Sequence, residues 1–219
     1  MPANRDARQF APATQRNRDP ILQVLQRVLP ARGTVLELAS GTGEHAAFFA
    51  PRLAPLAWLP SEADPRLLAS IEAWRQQQGS DSLYPVIALD VRDPVWPIEQ
   101  DGQQEDGFAP DPIAAMASIN LLHIAPWCAC LGLLAGAQRL LPAGGVLYCY
   151  GPFKRGGRHT AASNAAFDES LRAQNPDWGV RNLDAVAAAA RDRELVLRET
   201  VAMPANNLSL VFQRAARAA

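Results

Sequence analysis

The 219-residue sequence predicts an α/β fold, a mostly parallel sheet with helices on both faces. Two observations predict it. Short apolar runs alternate with segments of helical periodicity along most of the chain, the pattern of strands joined by helical crossovers. The runs are near-continuously apolar, as expected of strands covered on both faces. Near the C-terminus two further runs, joined through Met203 to Asn207, form a closing strand pair.

The elements follow in order. Ile21, Leu22, Leu25, Val28 and Leu29 make a helical stripe, with Asp19 as N-cap and Pro20 in the first turn. Thr34 to Ala39 reads as a buried strand, Glu44 to Leu53 as a helix, and Ala57 to Ser61 as the second strand. A helix runs from Pro65 to Gln78 and stops at Gly79, and Tyr84 to Leu89 is the third strand. Val91 to Pro112, rich in prolines and acids, reads as a long surface loop. Ala114 to Asn120 is the fourth strand, Pro126 to Leu141 a helix closed by Pro142 and Gly144-Gly145, and Val146 to Tyr150 the fifth strand. Helices over Ser163 to Gln174 and Asp184 to Arg191 precede the closing strands Val196 to Val201 and Leu208 to Gln213.

Length and composition bound the function. A chain of this size with 48% apolar residues can fill one core, so one domain over 1–219 is expected, with residues 1–18 as a polar N-terminal arm. Lys and Arg number 21 against 22 Asp and Glu, which gives no field for collecting phosphates, so nucleic acid is not an expected partner. Cys128, Cys130 and Cys149 match no zinc-ligand spacing and read as small buried thiols, as in a reducing cytoplasm. No metal site is expected. No apolar run reaches 18 residues and Met1 to Asp19 lacks an apolar core, so neither a membrane span nor a secretory leader is expected.

The strongest local signal is Val35-Leu36-Glu37-Leu38-Ala39-Ser40-Gly41-Thr42-Gly43-Glu44-His45. A strand ends in a small-residue turn and a helix follows. In open α/β sheets ligands bind at this end of the strands. Gly41 and Gly43 let the backbone turn sharply and approach a ligand closely. Gly41-x-Gly43-x-x-Ala46 formally satisfies the dinucleotide fingerprint, with Glu62 at a suitable distance, so the glycines alone leave NAD(P) and S-adenosylmethionine both open.

Acidic residues break the tie. Glu37 lies inside the first strand, where a carboxylate costs free energy unless hydrogen-bonded, and the dinucleotide fingerprint gives it no role. Glu62 follows the second strand, where it can accept from both hydroxyls of a ribose. Asp90 follows the third, where it can accept from an adenine amino group. Tyr150-x-x-x-Lys154 formally matches a dehydrogenase pair, but that pair needs a helix and Gly151-Pro152 stands between them.

The glycine loop, Pro60-Ser61-Glu62-Ala63-Asp64, Leu89-Asp90-Val91 and Ser118-Ile119-Asn120-Leu121-Leu122-His123-Ile124 resemble the successive cofactor motifs of class I methyltransferases. The whole chain resembles the DUF938 family. Phe10-Ala11-Pro12-Ala13, Arg16-Asn17, Pro20-Ile21-Leu22, Gly151-Pro152-Phe153 and Ser163-Asn164-x-x-Phe167-Asp168 carry that likeness. It implies the Rossmann-like seven-stranded fold, with the last strand antiparallel between the fifth and sixth. It implies S-adenosylmethionine as cofactor, a carboxylate at Glu37 supporting the cofactor loop and the amino-acid end of the cofactor, and cofactor contacts at Glu37, Ala39, Ser40, Gly41, Thr42, Gly43, Glu62, Asp90, Val91 and Asn120. The family carries Asp where Glu62 stands, which makes Asp64 a second candidate for the ribose. Arg16 and Asn17 offer donors from the arm, which is expected to close over the cofactor.

The acceptor is expected to be a small molecule. The fourth strand ends Asn120-Leu121-Leu122-His123, without the Asn/Asp-Pro-Pro-aromatic motif of many enzymes that methylate nucleobases. His123, Trp127, Tyr150, Phe153, Arg155, Arg158 and His159 fall near one rim, with Trp127 read as packing and His159 as a loop residue. His123, with an imidazole near its ordinary pKa of about 6.5, is the candidate base for a protic acceptor, against a structural histidine hydrogen-bonded to its own loop. A cofactor-binding scaffold without catalysis is the alternative to an enzyme.

Overall fold

A computed structural model describes residues 6–100 and 112–216. In chain order the elements are α1 Pro12–Val28, β1 Thr34–Leu38, α2 Glu44–Phe49, β2 Ala57–Glu62, α3 Pro65–Gln78, β3 Ile87–Ala88, β4 Ile113–Ile119, α4 Trp127–Leu140, β5 Val146–Gly151, β6 Phe153–Arg155, β7 Arg158–His159, α5 Ala162–Gln174, β8 Arg181–Asn182, α6 Leu183–Arg191, β9 Leu195–Met203 and β10 Asn207–Arg214.

Seven strands form one sheet in the order β3-β2-β1-β4-β5-β10-β9. β1 to β5 run parallel, and β10 inserts between β5 and β9, antiparallel to both. The order reverses between β1 and β4, so the crevice for a ligand opens beyond their carboxyl ends. Alternation along β1 sorts the two faces. Leu36 and Leu38 pack with α4 and α6, while Val35 packs with α1 and α2. Both faces are covered, which explains why the central strands read as unbroken apolar runs.

Four expectations change. The first helix begins at Pro12, not after Asp19, and Pro20 lies inside it. A proline there removes one helical hydrogen bond. The buried stripe Thr14, Asn17, Ile21, Val24 and Leu25 runs straight through it, so packing holds the helix on both sides. The arm before it shortens accordingly. The third strand shrinks to two residues, because Pro85 has no N–H for a ladder.

Residues after Val91 are not a free loop at their start. Val91 and Trp96 are buried against α4, where a Cβ on Gly132 would lie 2.1 Å from the Val91 carbonyl oxygen and one on Gly136 would lie 2.0 Å from the Trp96 ring. The spacing Gly132-x-x-x-Gly136 on one helix face was the readable sign of that close approach. The rest of that stretch, 101–111, lies outside the described residues. Finally, β6, β7 and β8 form a separate three-stranded sheet that no periodicity announced.

Candidate functional site

The ends of β1 and β2 are knitted together beneath the glycine loop. Ser40 N donates to the Ser61 carbonyl at 2.8 Å, Ser61 N donates to Ser40 Oγ at 3.2 Å, and Ser61 Oγ donates to the Glu37 carbonyl at 2.7 Å. Glu37 lies under this knot, 1% exposed, and accepts from Trp58 Nε1 at 3.1 Å. Burial pushes its carboxyl up to about 7, against the lowering effect of the Ser40 and Trp58 hydrogen bonds. Glu37 therefore supports the loop from below rather than facing the crevice.

Glu62 faces the loop itself. Its Oε2 accepts from Gly41 N at 2.8 Å, and its Oε1 accepts from Ala63 N at 2.9 Å and Asp64 N at 3.0 Å. The carboxylate and the glycine turn form one continuous surface, and Oε2 keeps a lone pair for a further donor. Asp64 is turned away. It caps α3 by accepting from Arg66 N at 3.0 Å and pairs with the Arg66 guanidinium at 2.6 Å. Asp90 pairs in the same way with Arg92, at 2.5 Å, and remains partly exposed at the end of β3. The Val91 side chain is buried under α4.

The two loop glycines differ. Both have positive φ, +59° at Gly41 and +90° at Gly43. A Cβ on Gly43 would lie 2.8 Å from the Ile71 Cα, so this glycine lets α2 sit on α3. A Cβ on Gly41 would meet nothing within 4 Å. Gly41 therefore borders open space, whereas a side chain at Gly43 would enter Ile71 and not the space expected for a cofactor. Ala39 also takes positive φ, and Ser40 is buried. Thr42 faces α2 and α3: its Oγ1 donates to Glu44 Oε2 at 3.3 Å and its carbonyl accepts from Ser70 Oγ at 2.7 Å.

The N-terminal arm is fastened beside this loop. Gln9 N donates to Ser70 Oγ at 2.8 Å, Trp74 Nε1 donates to the Gln9 carbonyl at 3.0 Å, and Ala11 N donates to Glu44 Oε2. Phe10 meets Trp74 edge to face at 5.1 Å. Ser70 thus joins the arm to the glycine loop. Arg16 is exposed on α1. Asn17 is buried, with Oδ1 2.8 Å from His45 Nε2. Burial pushes His45 down to about 4, so the ring is neutral at physiological pH and its Nε2–H donates to the amide. The Asn17 and Asn207 amides also face the Tyr150 hydroxyl at the end of β5. Sequence reasoning missed His45 and Glu44, although both directly follow Gly43 on the first turn of a helix.

His123 follows β4 on a short 3-10 turn begun by Asn120 at φ +65°. Its ring is 1% exposed, meets Phe153 edge to face at 5.0 Å, and neither nitrogen has a hydrogen-bond partner among the described residues. A Cβ on Gly151 would lie 2.0 Å from Nε2, so the ring occupies the space that glycine leaves. Burial, reinforced by the Arg181 charge, pushes its pKa down to about 3. Both expectations for it change. The imidazole is not near its ordinary pKa, and its ring does not hydrogen-bond its loop. His159 is not a loop residue either: it lies in β7, with Nε2 3.2 Å from Asp168 Oδ2. Trp127 packs against the core, as expected.

Among the described residues no cluster of three or more His, Cys, Asp or Glu could hold a metal ion, and no helix is long and apolar enough to cross a membrane.

Solved structures share this architecture. An O-methyltransferase family protein from Burkholderia thailandensis is 18% identical with a TM-score of 0.70, covering 91% of this chain and 57% of that one. The S-adenosylmethionine-dependent methyltransferase SibL, in its apo form, is 16% identical with a TM-score of 0.70, covering 93% and 56%. An O-methyltransferase family 2 protein from Planctomyces limnophilus, solved with apigenin, is 17% identical with a TM-score of 0.68, covering 90% and 62%. The chain spans less than two thirds of each of these proteins. At such identity the likeness shows the fold, that of class I methyltransferases. The profile of DUF938, a family of proteins of unknown function, matches residues 8–214, and the chain belongs to that family.

Proposed function

We propose that this chain is an S-adenosylmethionine-dependent methyltransferase for a small protic acceptor, organised as one domain. The observation that carries the reading is the contact between Glu62 and Gly41 N, with open space over Gly41. It sets the acid after the second strand against the glycine turn at the reversal of strand order. The donor set fits the cofactor. Glu62 takes the ribose and the turn Ala39 to Gly43 cradles the amino-acid end. Asp90 stands at the end of β3 for the adenine amino group, and Asn120 borders the same rim from β4. Asp64 is the weaker choice for the ribose, because its carboxylate already caps α3 and pairs with Arg66.

When bound, the cofactor supplies an electrophilic methyl group on a sulfonium. The chain's own contribution is orientation and exclusion of water. His123 is a neutral, buried imidazole at the carboxyl end of β4, and its two nitrogens have no hydrogen-bond partner among the described residues. Such a ring accepts a hydrogen bond from an acceptor's O–H or N–H and orients it. As a proton store it is weak at neutral pH, so the proton stays on the methylated acceptor and is lost to solvent when the product leaves the site. The Planctomyces protein was solved in complex with apigenin, a small hydroxylated molecule, which agrees with a small acceptor here.

Soaking crystals with S-adenosylhomocysteine tests the reading. Density is expected over Gly41, with the ribose hydroxyls on Glu62. Density elsewhere, or on Asp64 with Glu62 uninvolved, contradicts it.

A further inference from the structure

Asp168, on α5, plays no part in the site described so far, yet it is the most heavily partnered carboxylate near it. Its side chain is 7% exposed and meets Lys154 Nζ at 2.7 Å, His159 Nε2 at 3.2 Å and Arg172 Nε at 3.3 Å. Oδ1 also accepts from Val180 N at 2.7 Å. Ion pairing at this level exceeds what one buried charge needs, but the bond to Val180 leads elsewhere. Val180 sits between two residues that grip the His123 turn. Gly179 N donates to the His123 carbonyl at 2.9 Å. Arg181 Nε donates to the Leu122 carbonyl at 2.9 Å, and its Nη2 to the Ala125 carbonyl at 2.5 Å.

Among the described residues the His123 ring has no hydrogen-bond partner, so its direction is set by that turn and by packing against Gly151 and Phe153. Gly179 is fitted to the arrangement: at φ +148° it places its Cα where a Cβ would lie 2.6 Å from Asp168 Oδ1.

We propose that Asp168 is a positioning residue, which holds residues 179–181 through Val180 N and thereby keeps the His123 ring dry and aimed past Gly151. Its functional meaning rests on the methyltransferase reading. The mechanical link does not. Losing the Val180 bond frees the strip 179–181, loosens the carbonyls of Leu122, His123 and Ala125, and admits water to the imidazole. A hydrated ring titrates nearer its ordinary value.

Nitrogen-15 histidine NMR reads this directly, with His123→Gln identifying the signal. In the wild type, His123 is expected to stay neutral from pH 8 down to pH 5. In Asp168→Ala its signal is expected to titrate between those limits, while the His45 signal stays unchanged and reports an intact fold. Gly179→Ala keeps every charge but displaces the carboxylate, and is expected to act likewise. Asp168→Asn retains an oxygen for Val180 N and is expected to restore most of the wild-type behaviour. An unchanged His123 titration in both Asp168→Ala and Gly179→Ala overturns the proposal. So does Asp168→Asn behaving as Asp168→Ala, which would detach the effect from the Val180 bond; the Asp168 charge by itself favours the imidazolium and the Arg181 charge disfavours it, so loss of the Asp168 charge alone moves the His123 titration further down. S-adenosylhomocysteine affinity is expected to be equal in wild type and Asp168→Ala. Absence of binding in both would overturn the methyltransferase reading and leave the titration result standing.

Discussion

The two sides of the proposed site, the glycine rim that would take the cofactor and the His123 side that would face the acceptor, are built in opposite ways. The rim is local: residues 35–45, 60–64 and 89–91 each carry a strand end and its own polar group, and the sheet merely lays them side by side. The acceptor side is assembled from distant pieces. His123 is gripped by residues 179–181, which Asp168 of α5 holds, and a separate polar group joins Asn17, His45, Tyr150 and Asn207 from four elements. A short segment can announce a glycine turn. It cannot announce a partner more than fifty residues away.

The two loop glycines sharpen this contrast most. Gly41→Leu puts a side chain into open space, so the fold is expected to survive at a conformational cost of about 1–2 kcal/mol. Affinity for S-adenosylhomocysteine is expected to fall more than a hundredfold. Gly43→Leu drives into Ile71 and is expected to lower the melting temperature sharply, its binding loss following from instability. Calorimetry beside thermal melts separates the two. Equal melting with equal affinity loss would erase the distinction drawn between them.

Next in size is Gly151→Ala, on the acceptor side. Its Cβ would meet His123 Nε2, so the ring must move. With any acceptor in hand, turnover is expected to fall at least tenfold with cofactor affinity unchanged. Unchanged turnover would remove His123 from the acceptor's path.

These variants also show what could be read in advance. The parallel core and α3 from Pro65 to Gln78 were legible, because apolar runs and a proline-to-glycine span are local signals, whereas the place of the last strand came from the family resemblance. Glu37, Glu62 and Asp90 were legible as strand-end acids. Which acid lies against the glycine turn was not, since only the tertiary fold sends Asp64 to an N-cap and Glu37 to a tryptophan. The small sheet β6–β8 was hidden because strands of two or three residues carry no period. Pro20 misled because burial of Thr14 and Asn17 extends a helix that local propensity would have started later.

A smaller effect concerns Glu37. Its folded pKa, about 7, lies above the ordinary 4.5. The folded state therefore binds more protons than the unfolded state between these values, and stability falls as pH rises from 4.5 through 7. The shift corresponds to about 3 kcal/mol at most. Glu37→Gln can still accept from Trp58 Nε1 and is expected to flatten this part of the profile. Urea unfolding at pH 5 and pH 8 measures it. Parallel profiles for variant and wild type would show that Glu37 is charged and satisfied in the folded protein.

The central claim is that the crevice over Gly41 takes S-adenosylmethionine and not a nicotinamide dinucleotide. Isothermal titration of the wild-type protein with S-adenosylhomocysteine, and separately with NAD and NADP, tests it most directly. The account predicts saturable heat with S-adenosylhomocysteine, lost in Gly41→Leu, and none with either dinucleotide. Binding of NAD or NADP without S-adenosylhomocysteine would contradict it.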